Sequence, residues 1–259
     1  MAIAHERAPL GLLLRDWRHR RRLSQLDLAL DAGVSARHLS FVETGRSRPS
    51  REMVLHLAEQ LDVPLRDRNQ LLLAAGYAPV YEQRPIDAPE MAPVREALDV
   101  VLKGHEPYPA LVVDRGWNLV LANDSVQLLT ADVAPELLEP PLNVLRASLH
   151  PEGVAPRIAN LGEWRAHVLD RLRRQVALTA DDELAALYAE LAAYPGGEEG
   201  HAVTGGEIAV PVRLRTEGGE LAFFSTVTTF GTAVDITLAE LSIEAFFPAD
   251  EATTAALRG

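Results

Sequence analysis

The chain has 259 residues, of which 47% are hydrophobic, so it is long enough for two domains and for a buried core in at least one of them. It contains no cysteine, which excludes disulfides, thiol nucleophiles and Cys-ligated metal sites. No apolar run reaches the roughly 20 residues of a membrane span, and the N-terminus lacks the apolar stretch of a secretory signal. We therefore expect a soluble, cytoplasmic protein without membrane contact.

The formal net charge of −12 is distributed unevenly along the chain. Residues 1–85 contain 13 arginines and 10 acidic residues, a balance of +3, whereas the remainder carries −15. DNA phosphates attract a basic module and repel an acidic one. The sequence therefore predicts that only the N-terminal part docks on nucleic acid.

The first predicted helix runs from about Leu10 to Arg21 and carries an apolar stripe at helical spacing. Its end is rich in arginine, and two interpretations stay open. The cations either complement the helix dipole or pair with DNA phosphates. The arginines in question are Arg18, Arg20, Arg21 and Arg22.

Two short helices joined by a glycine turn are predicted next, between Ser24 and Ser50. Ala29 is small where the helices cross, and Gly33 can adopt the positive φ that a tight turn needs. Ser35 caps the second of these helices. The side chains expected to point into the core are those of Leu39 and Val42. A fourth helix follows Ser50, and a fifth runs from Pro64 to Ala75.

The residues after the glycine turn form a recognisable pattern of Ser35, Arg37, Leu39, Ser40, Glu43, Gly45, Arg46, Pro49 and Ser50. This pattern resembles the recognition segment of Xre/Cro-type helix-turn-helix regulators, and the resemblance covers about residues 8–78. It implies that Gln25 contacts a phosphate and that residues early in the third helix reach base edges in the major groove.

Arg37 is the main candidate for sequence reading, because an arginine can donate two hydrogen bonds to guanine. Ala36 departs from the long polar residue of many relatives, so its contact would be apolar. The alternatives are that Arg37 is a solvated first-turn residue and that the loop arginines only aid solubility. Glu43 is expected to orient a neighbouring arginine, since phosphates repel a carboxylate. The DNA-binding candidates are Gln25, Ser35, Ala36, Arg37, His38, Ser40, Arg46 and Arg48.

Residues 79–104 are predicted to be a linker with a connecting helix. Four prolines, from Pro79 to Pro93, favour an extended, semi-rigid segment, and a helix follows from about Val94 to Leu102. The boundaries predicted from this pattern are 1–78 for the DNA-binding domain, 79–104 for the linker and 105–259 for the second domain.

The second domain is predicted to begin with a β-hairpin made of 110–113 and 117–122. Helices follow at about 135–138, 142–148, 162–176 and 180–193, the last with Thr179 as its cap. Three strands come last: 208–214, 221–229 and 238–246. The glycine-rich stretch from Gly196 to Gly206 lacks a Walker lysine and is read as a connector. Two strands, then helices, then three strands is the layout of a PAS-like fold.

Distinctive blocks in this part of the chain are 143–153, with Leu149, His150, Pro151 and Glu152, and 228–250, with Phe230, Gly231, Asp235, Glu244, Phe246, Phe247, Pro248 and Asp250. Residues 105–254 resemble the ligand-binding domain of MmyB-like transcription regulators. The resemblance implies an Xre-type module combined with a PAS-like domain, and a fatty acid as the ligand class.

A pocket between sheet and helices would suit an acyl chain, although any α/β core packs similar residues. Its predicted ligand-binding residues are Trp117, Leu121, Leu145, Trp164, His167, Val168, Arg171, Phe223 and Phe230. A ligand carboxylate would need a cation or donor at the mouth. The candidates for that role are His150, Arg165, His167 and Arg171.

The sequence argues against an enzyme, because no nucleophile elbow, zinc motif or phosphate-binding loop is present. The acidic run 181–183 fits the first turn of a helix better than a metal site. We therefore predict no catalytic residue, metal or cofactor other than a fatty acid or similar ligand. The partners expected are operator DNA, a small apolar ligand and a second copy in a homodimer. The alternative is a second domain that serves only protein interaction or dimerisation.

The predicted fold class is α+β. It combines an N-terminal all-α domain of five helices with a C-terminal PAS-like domain, in which an antiparallel sheet of about five strands is accompanied by several helices.

Overall fold

A computed structural model of the chain describes residues 9–196 and 209–258. Within that range the chain forms two compact units. Unit 1 contains the residues up to 84 together with 232–239, and unit 2 contains the others. The predicted glycine-rich connector beyond Gly196 and the predicted strand position Ile208 lie outside the described residues.

Unit 1 is built on five helices whose starts are set by local capping. Ser24, Ser35 and Ser50 each accept a hydrogen bond from a backbone N–H in the first turn, and Ser24 forms a full capping box with Asp27. The helices are α1 (Leu10–Arg20), α2 (Gln25–Asp31), α3 (Ala36–Glu43), α4 (Arg51–Gln60) and α5 (Leu65–Ala74).

The core of unit 1 explains the two small residues of its helical pair. Ala29 of α2 is buried in the core. Gly33 has φ +63° in the turn before α3. Leu39 and Val42 point into the core as predicted. Gly11 lies against the end of α3, where an added Cβ would be 2.2 Å from the Glu43 carbonyl oxygen. No side chain fits there, so α1 and α3 pack backbone to backbone.

The chain after α5 remains attached to unit 1 through Asn69. Its Oδ1 accepts hydrogen bonds from the N–H groups of Val80 and Tyr81, and its Nδ2 donates to the Tyr81 carbonyl. The first residues of the predicted linker are therefore docked on α5. The predicted domain boundaries themselves stay a prediction.

The segment 232–239 is the second piece of unit 1. Asp235 accepts a hydrogen bond from Arg84 at 3.0 Å, and the Ile236 N–H donates to the Glu82 carbonyl at 2.8 Å. The same carboxylate caps the short helix that follows by accepting from the Thr237 N–H. Asp235 is thus buried and fully engaged at the edge of unit 1.

Unit 2 is a mixed domain in which helices pack on an antiparallel sheet. Its strands are β1 (Ala110–Val113), β2 (Leu119–Ala122), β3 (Val212–Thr216), β4 (Gly219–Thr229) and β5 (Ser242–Pro248). The remaining helices are α6 (Ala92–Gly104), α7 (Gln127–Thr130), α8 (Pro135–Leu138), α9 (Val144–Leu149), α10 (Leu161–Thr179), α11 (Asp182–Ala193), α12 (Ile236–Glu240), which crosses the boundary between the units, and α13 (Glu251–Arg258).

The five strands lie side by side in the order β2-β1-β5-β4-β3, and every pair is antiparallel. This confirms the predicted fold class, five helices followed by a five-stranded antiparallel sheet with helices. Of the helices in the described ranges, none has both the length and the apolar character needed to cross a membrane.

Four predicted elements differ from the structure. The strand predicted from 208 begins only at Val212, so Val210 precedes it. Asp181, not Thr179, caps α11, because α10 continues through Thr179 and ends at Ala180 in a left-handed conformation. The last strand begins at Ser242, since residues 236–240 are helical. The turn of the first hairpin extends through Trp117, which has φ +66°, so β2 begins only at Leu119.

Candidate nucleic-acid interface and ligand cavity

The third helix presents a polar outer face. Ser35 caps it by accepting from the His38 N–H at 3.1 Å, while Arg37 is exposed and Ser40 is half-buried. The Arg37 guanidinium lies 5.3 Å from the centre of the Phe41 ring, one turn along the same helix. This contact directs a long cation along the outer face of α3 and leaves its N–H groups available.

A buried ion pair fixes this helix to the rest of unit 1. Arg18 donates to Glu43 through Nε at 2.7 Å and through Nη2 at 2.9 Å, and both side chains are more than nine-tenths buried. Gln25 donates to the same carboxylate at 2.7 Å. Glu43 thus orients an arginine, as predicted, and it also holds Gln25 at the start of α2.

The pKa of Glu43 follows from these contacts. Burial alone would raise it, but the hydrogen bonds from Arg18 and Gln25 and the positive charge of Arg18 outweigh burial and hold the pKa below its ordinary value. Glu43 is therefore ionised at neutral pH, and the pair carries a full charge on each side.

Several arginines of unit 1 are engaged by backbone carbonyls. Arg21 donates to the Leu61 carbonyl at 2.7 Å, at the end of α4. Arg48 donates to the Ala75 carbonyl at 3.1 Å, and its guanidinium lies 5.9 Å from the Tyr77 ring. These contacts stabilise helix C-termini. Arg46, in contrast, is exposed in the loop after α3.

Unit 2 contains a cavity of about 90 Å³ between the inner face of the sheet and the helices that cover it. Of the predicted ligand residues, Leu145, Trp164, Val168 and Arg171 line this cavity. Its lining also includes Leu111, Leu119, Val126, Leu129, Thr130, Leu142, Val144, Ala147, Ser148, Val154, Ile158, Val212, Leu214, Glu244 and Phe246. The wall is therefore almost entirely apolar.

Five predicted ligand residues lie outside the lining. Leu121 pairs with Val112 and points to the opposite face of the sheet, because a register shift between Val112 and Val113 separates it from Leu119. Phe223 is packed in the core with its ring edge-on to that of Phe246. Phe230 follows β4 beyond the cavity.

The other two, Trp117 and His167, stand directly behind the lining. Trp117 donates to Gln175 at 2.8 Å and lies beneath the Arg171 guanidinium, 4.2 Å from its ring centre. His167 stacks on Trp164 at 5.6 Å. Burial, followed by the charge of Arg171, lowers the pKa of His167, so this ring is neutral at neutral pH.

Two of the four predicted mouth residues are used elsewhere. Arg165 donates to the carbonyl of Ala192 in the last turn of α11 and to that of Gly196 after it. His150 accepts from the Glu152 N–H and contacts the Tyr194 ring edge-on. Among the described residues that line the cavity, Arg171 is therefore the one with a positively charged side chain.

Three polar residues of the lining, Thr130, Ser148 and Glu244, were not predicted as cavity residues. Glu244 forms an ion pair with Arg171. The sequence feature that could have identified Glu244 is its position as the only acidic residue in the otherwise mostly apolar strand β5. Ser148 accepts a hydrogen bond from Trp164 Nε1 at 3.1 Å, and nothing in the sequence of α9 marks it. In the described residues, no cluster of three or more acidic or histidine side chains is arranged to hold a metal.

Two known families match the chain. Residues 94–259 match the MmyB-like transcription regulator ligand binding domain, and residues 9–71 match a helix-turn-helix domain. Both resemblances predicted from the sequence are thus confirmed. A search of curated proteins gave no significant match.

Proposed function

The chain belongs to the MmyB-like transcription regulators, a helix-turn-helix protein with a ligand-binding domain and not an enzyme, and on that premise we propose that ligand binding in unit 2 changes operator binding by unit 1. The observation that supports this most is the apolar cavity of unit 2, which lies within the matched ligand-binding domain. The regulator would act in the cytoplasm.

We propose that α3 enters the major groove and that Arg37 reads a base, since its side chain is exposed on the outer face of that helix. Gln25 would contact a phosphate from the start of α2, held in place by Glu43. The other proposed DNA contacts are Ser35, Ala36, His38, Ser40, Arg46 and Arg48. Of the two loop arginines, Arg46 is the better placed, because Arg48 already donates to a backbone carbonyl.

The proposed ligand is a fatty acid or a similar small molecule with an acyl chain. An apolar wall with few polar groups suits such a chain. Small-molecule sites usually enclose about 300 Å³ or more, whereas this cavity encloses about 90 Å³. The helices over the sheet would therefore have to move apart when a long chain enters.

This movement supplies a route for coupling. Glu244 lines the cavity from β5, and the chain that precedes β5 runs through α12 back to Asp235, which binds Arg84 in unit 1. We propose that movement of α10, whose Arg171 pairs with Glu244 on β5, alters this attachment. A homodimer on two half-sites would then change the separation of its reading helices.

Operator titrations of the full-length protein, with and without a saturating acyl ligand, test the proposal. Fluorescence anisotropy should show a shift in operator affinity of about fivefold or more. Native mass spectrometry of the purified protein should show a bound apolar molecule that denaturation releases. An unchanged operator affinity together with an empty unit 2 would instead favour a domain that serves protein interaction alone.

A further inference from the structure

One ion pair lies in the lining of the cavity. Arg171 on α10 donates through Nη1 to Glu244 Oε1 at 3.1 Å and through Nη2 to Oε2 at 3.4 Å. The Glu244 side chain is 6% exposed and that of Arg171 is 21% exposed. The Trp117 ring covers one face of the guanidinium at 4.2 Å, so the pair is largely shielded from water.

This pair makes the lining electrically neutral. Arg171 and Glu244 are the charged residues among the described residues that line the cavity, and each cancels the other. The neighbouring His167 adds no positive charge, because burial keeps its pKa below the ordinary value. An anionic head group placed beside Arg171 would also lie beside Glu244, and repulsion between two carboxylates is strong where water is excluded.

Two hydrogen-bond donors are nevertheless available among the residues that line the cavity. Nε of Arg171 is buried and has no hydrogen-bond partner among the described residues. The Ser148 hydroxyl accepts from Trp164 and keeps its own proton to donate. An uncharged head group beside the ion pair could accept a hydrogen bond from Nε of Arg171 and leave the pair intact.

We infer that the ligand has an uncharged, hydrogen-bond-accepting head group, as in a fatty acyl ester or amide, rather than the ionised carboxylate of a free fatty acid. The inference rests on the proposed function and narrows its ligand class. Glu244 is then a specificity-determining residue, because it neutralises the cation that would otherwise select a carboxylate.

The test compares two matched probes, decanoic acid and methyl decanoate, at pH 8 with the full-length protein. Calorimetry should show that the wild type binds the ester at least tenfold more tightly than the acid. In Glu244→Gln, Arg171 becomes an unpaired cation, so the preference should shift toward the acid by at least tenfold. Glu190→Gln is the control, since Glu190 pairs with Arg146 outside the cavity lining.

A double variant distinguishes an effect of charge from a loss of folding. Arg171→Gln combined with Glu244→Gln restores a neutral lining and should restore the preference for the ester. Circular dichroism melting checks that each variant is folded. A wild type that binds the acid as tightly as the ester, or a Glu244→Gln ratio equal to that of the wild type, would overturn the inference and leave the proposed function standing. If neither probe nor any other acyl compound binds, the proposed function fails as well.

Discussion

Arg37 and Gln25 occupy different environments in the same helical pair. The Arg37 guanidinium contacts the Phe41 ring of its own helix. The Gln25 side chain instead donates a hydrogen bond to the buried Glu43 carboxylate. A base-reading residue and a phosphate-contacting residue should also differ in how their loss affects different operators.

Arg37→Ala is expected to weaken operator binding by about 1–3 kcal/mol and to relax the preference at one base step. Gln25→Ala should weaken binding to all sequences more evenly. Anisotropy titrations against operators with single base changes measure both effects. Arg15→Ala, which removes an exposed arginine from α1, is the charge-matched control. An equal loss on every operator for Arg37→Ala would contradict its role in reading a base.

Glu43 is expected to dominate the stability of unit 1. Glu43→Ala leaves Arg18 buried without a counter-charge and removes the partner of Gln25, which should lower the free energy of unfolding by about 3–5 kcal/mol. Urea unfolding followed by tryptophan fluorescence measures the change. Glu59→Ala on α4 serves as the control, and a loss as small as that of the control would show that the pair contributes little.

The same carboxylate gives unit 1 a defined pH dependence. Because the pKa of Glu43 is lower in the folded than in the unfolded state, its contribution is complete above the ordinary carboxyl value of 4.5 and is lost as the pH falls through the folded value. The difference in unfolding free energy between wild type and Glu43→Gln should therefore be larger at pH 6 than at pH 3. A constant difference would argue against this linkage.

Among the elements, the connection between β4 and β5 has the clearest regulatory consequence. Asp235 holds Arg84 and caps α12, and α12 leads directly into the strand that carries Glu244. Asp235→Ala should leave ligand affinity and unliganded operator affinity within about twofold but reduce the effect of ligand on operator binding. Anisotropy with and without ligand measures this effect. Asp250→Ala, which removes the cap of α13 outside this connection, is the control.

The sequence predicted the helices of unit 1 well because their signals are local. Serine caps, a glycine turn and an apolar period fix α2 and α3 within a few residues. Prediction from the sequence was less successful where contacts between residues far apart in the chain determine the structure. The pairing of β1 with β2 includes a register shift that turns Leu121 away from the cavity, and alternation along one strand cannot reveal such a shift.

For the candidate site, the apolar wall was easier to predict than its polar groups. Leu145, Trp164 and Val168 were predicted as parts of an apolar wall between sheet and helices, and they line the cavity. Glu244 escaped prediction because its partner Arg171 is 73 residues away, on a helix whose other arginines bind nearby acids or backbone carbonyls. Long-range charge pairing leaves no pattern in a single sequence.

At the scale of the whole molecule, the two binding events must affect each other equally. If ligand changes operator affinity by a given factor, operator must change ligand affinity by the same factor. Calorimetry of the ligand with and without saturating operator should reproduce the factor measured by anisotropy. Light scattering of the complex should show two chains per operator. Unequal factors would point to an additional state, such as a change in oligomerisation.

The attachment of Asp235 to Arg84 also has a consequence for biosynthesis. The two residues are 151 positions apart, so Arg84 leaves the ribosome long before its partner exists. At ordinary elongation rates of about 5–20 residues per second, the delay is roughly 8–30 s. The helical bundle can form early, but its final segment docks only after residues 232–239 have been translated. A nascent chain stalled or cleaved before residue 235 would therefore carry an incomplete DNA-binding unit.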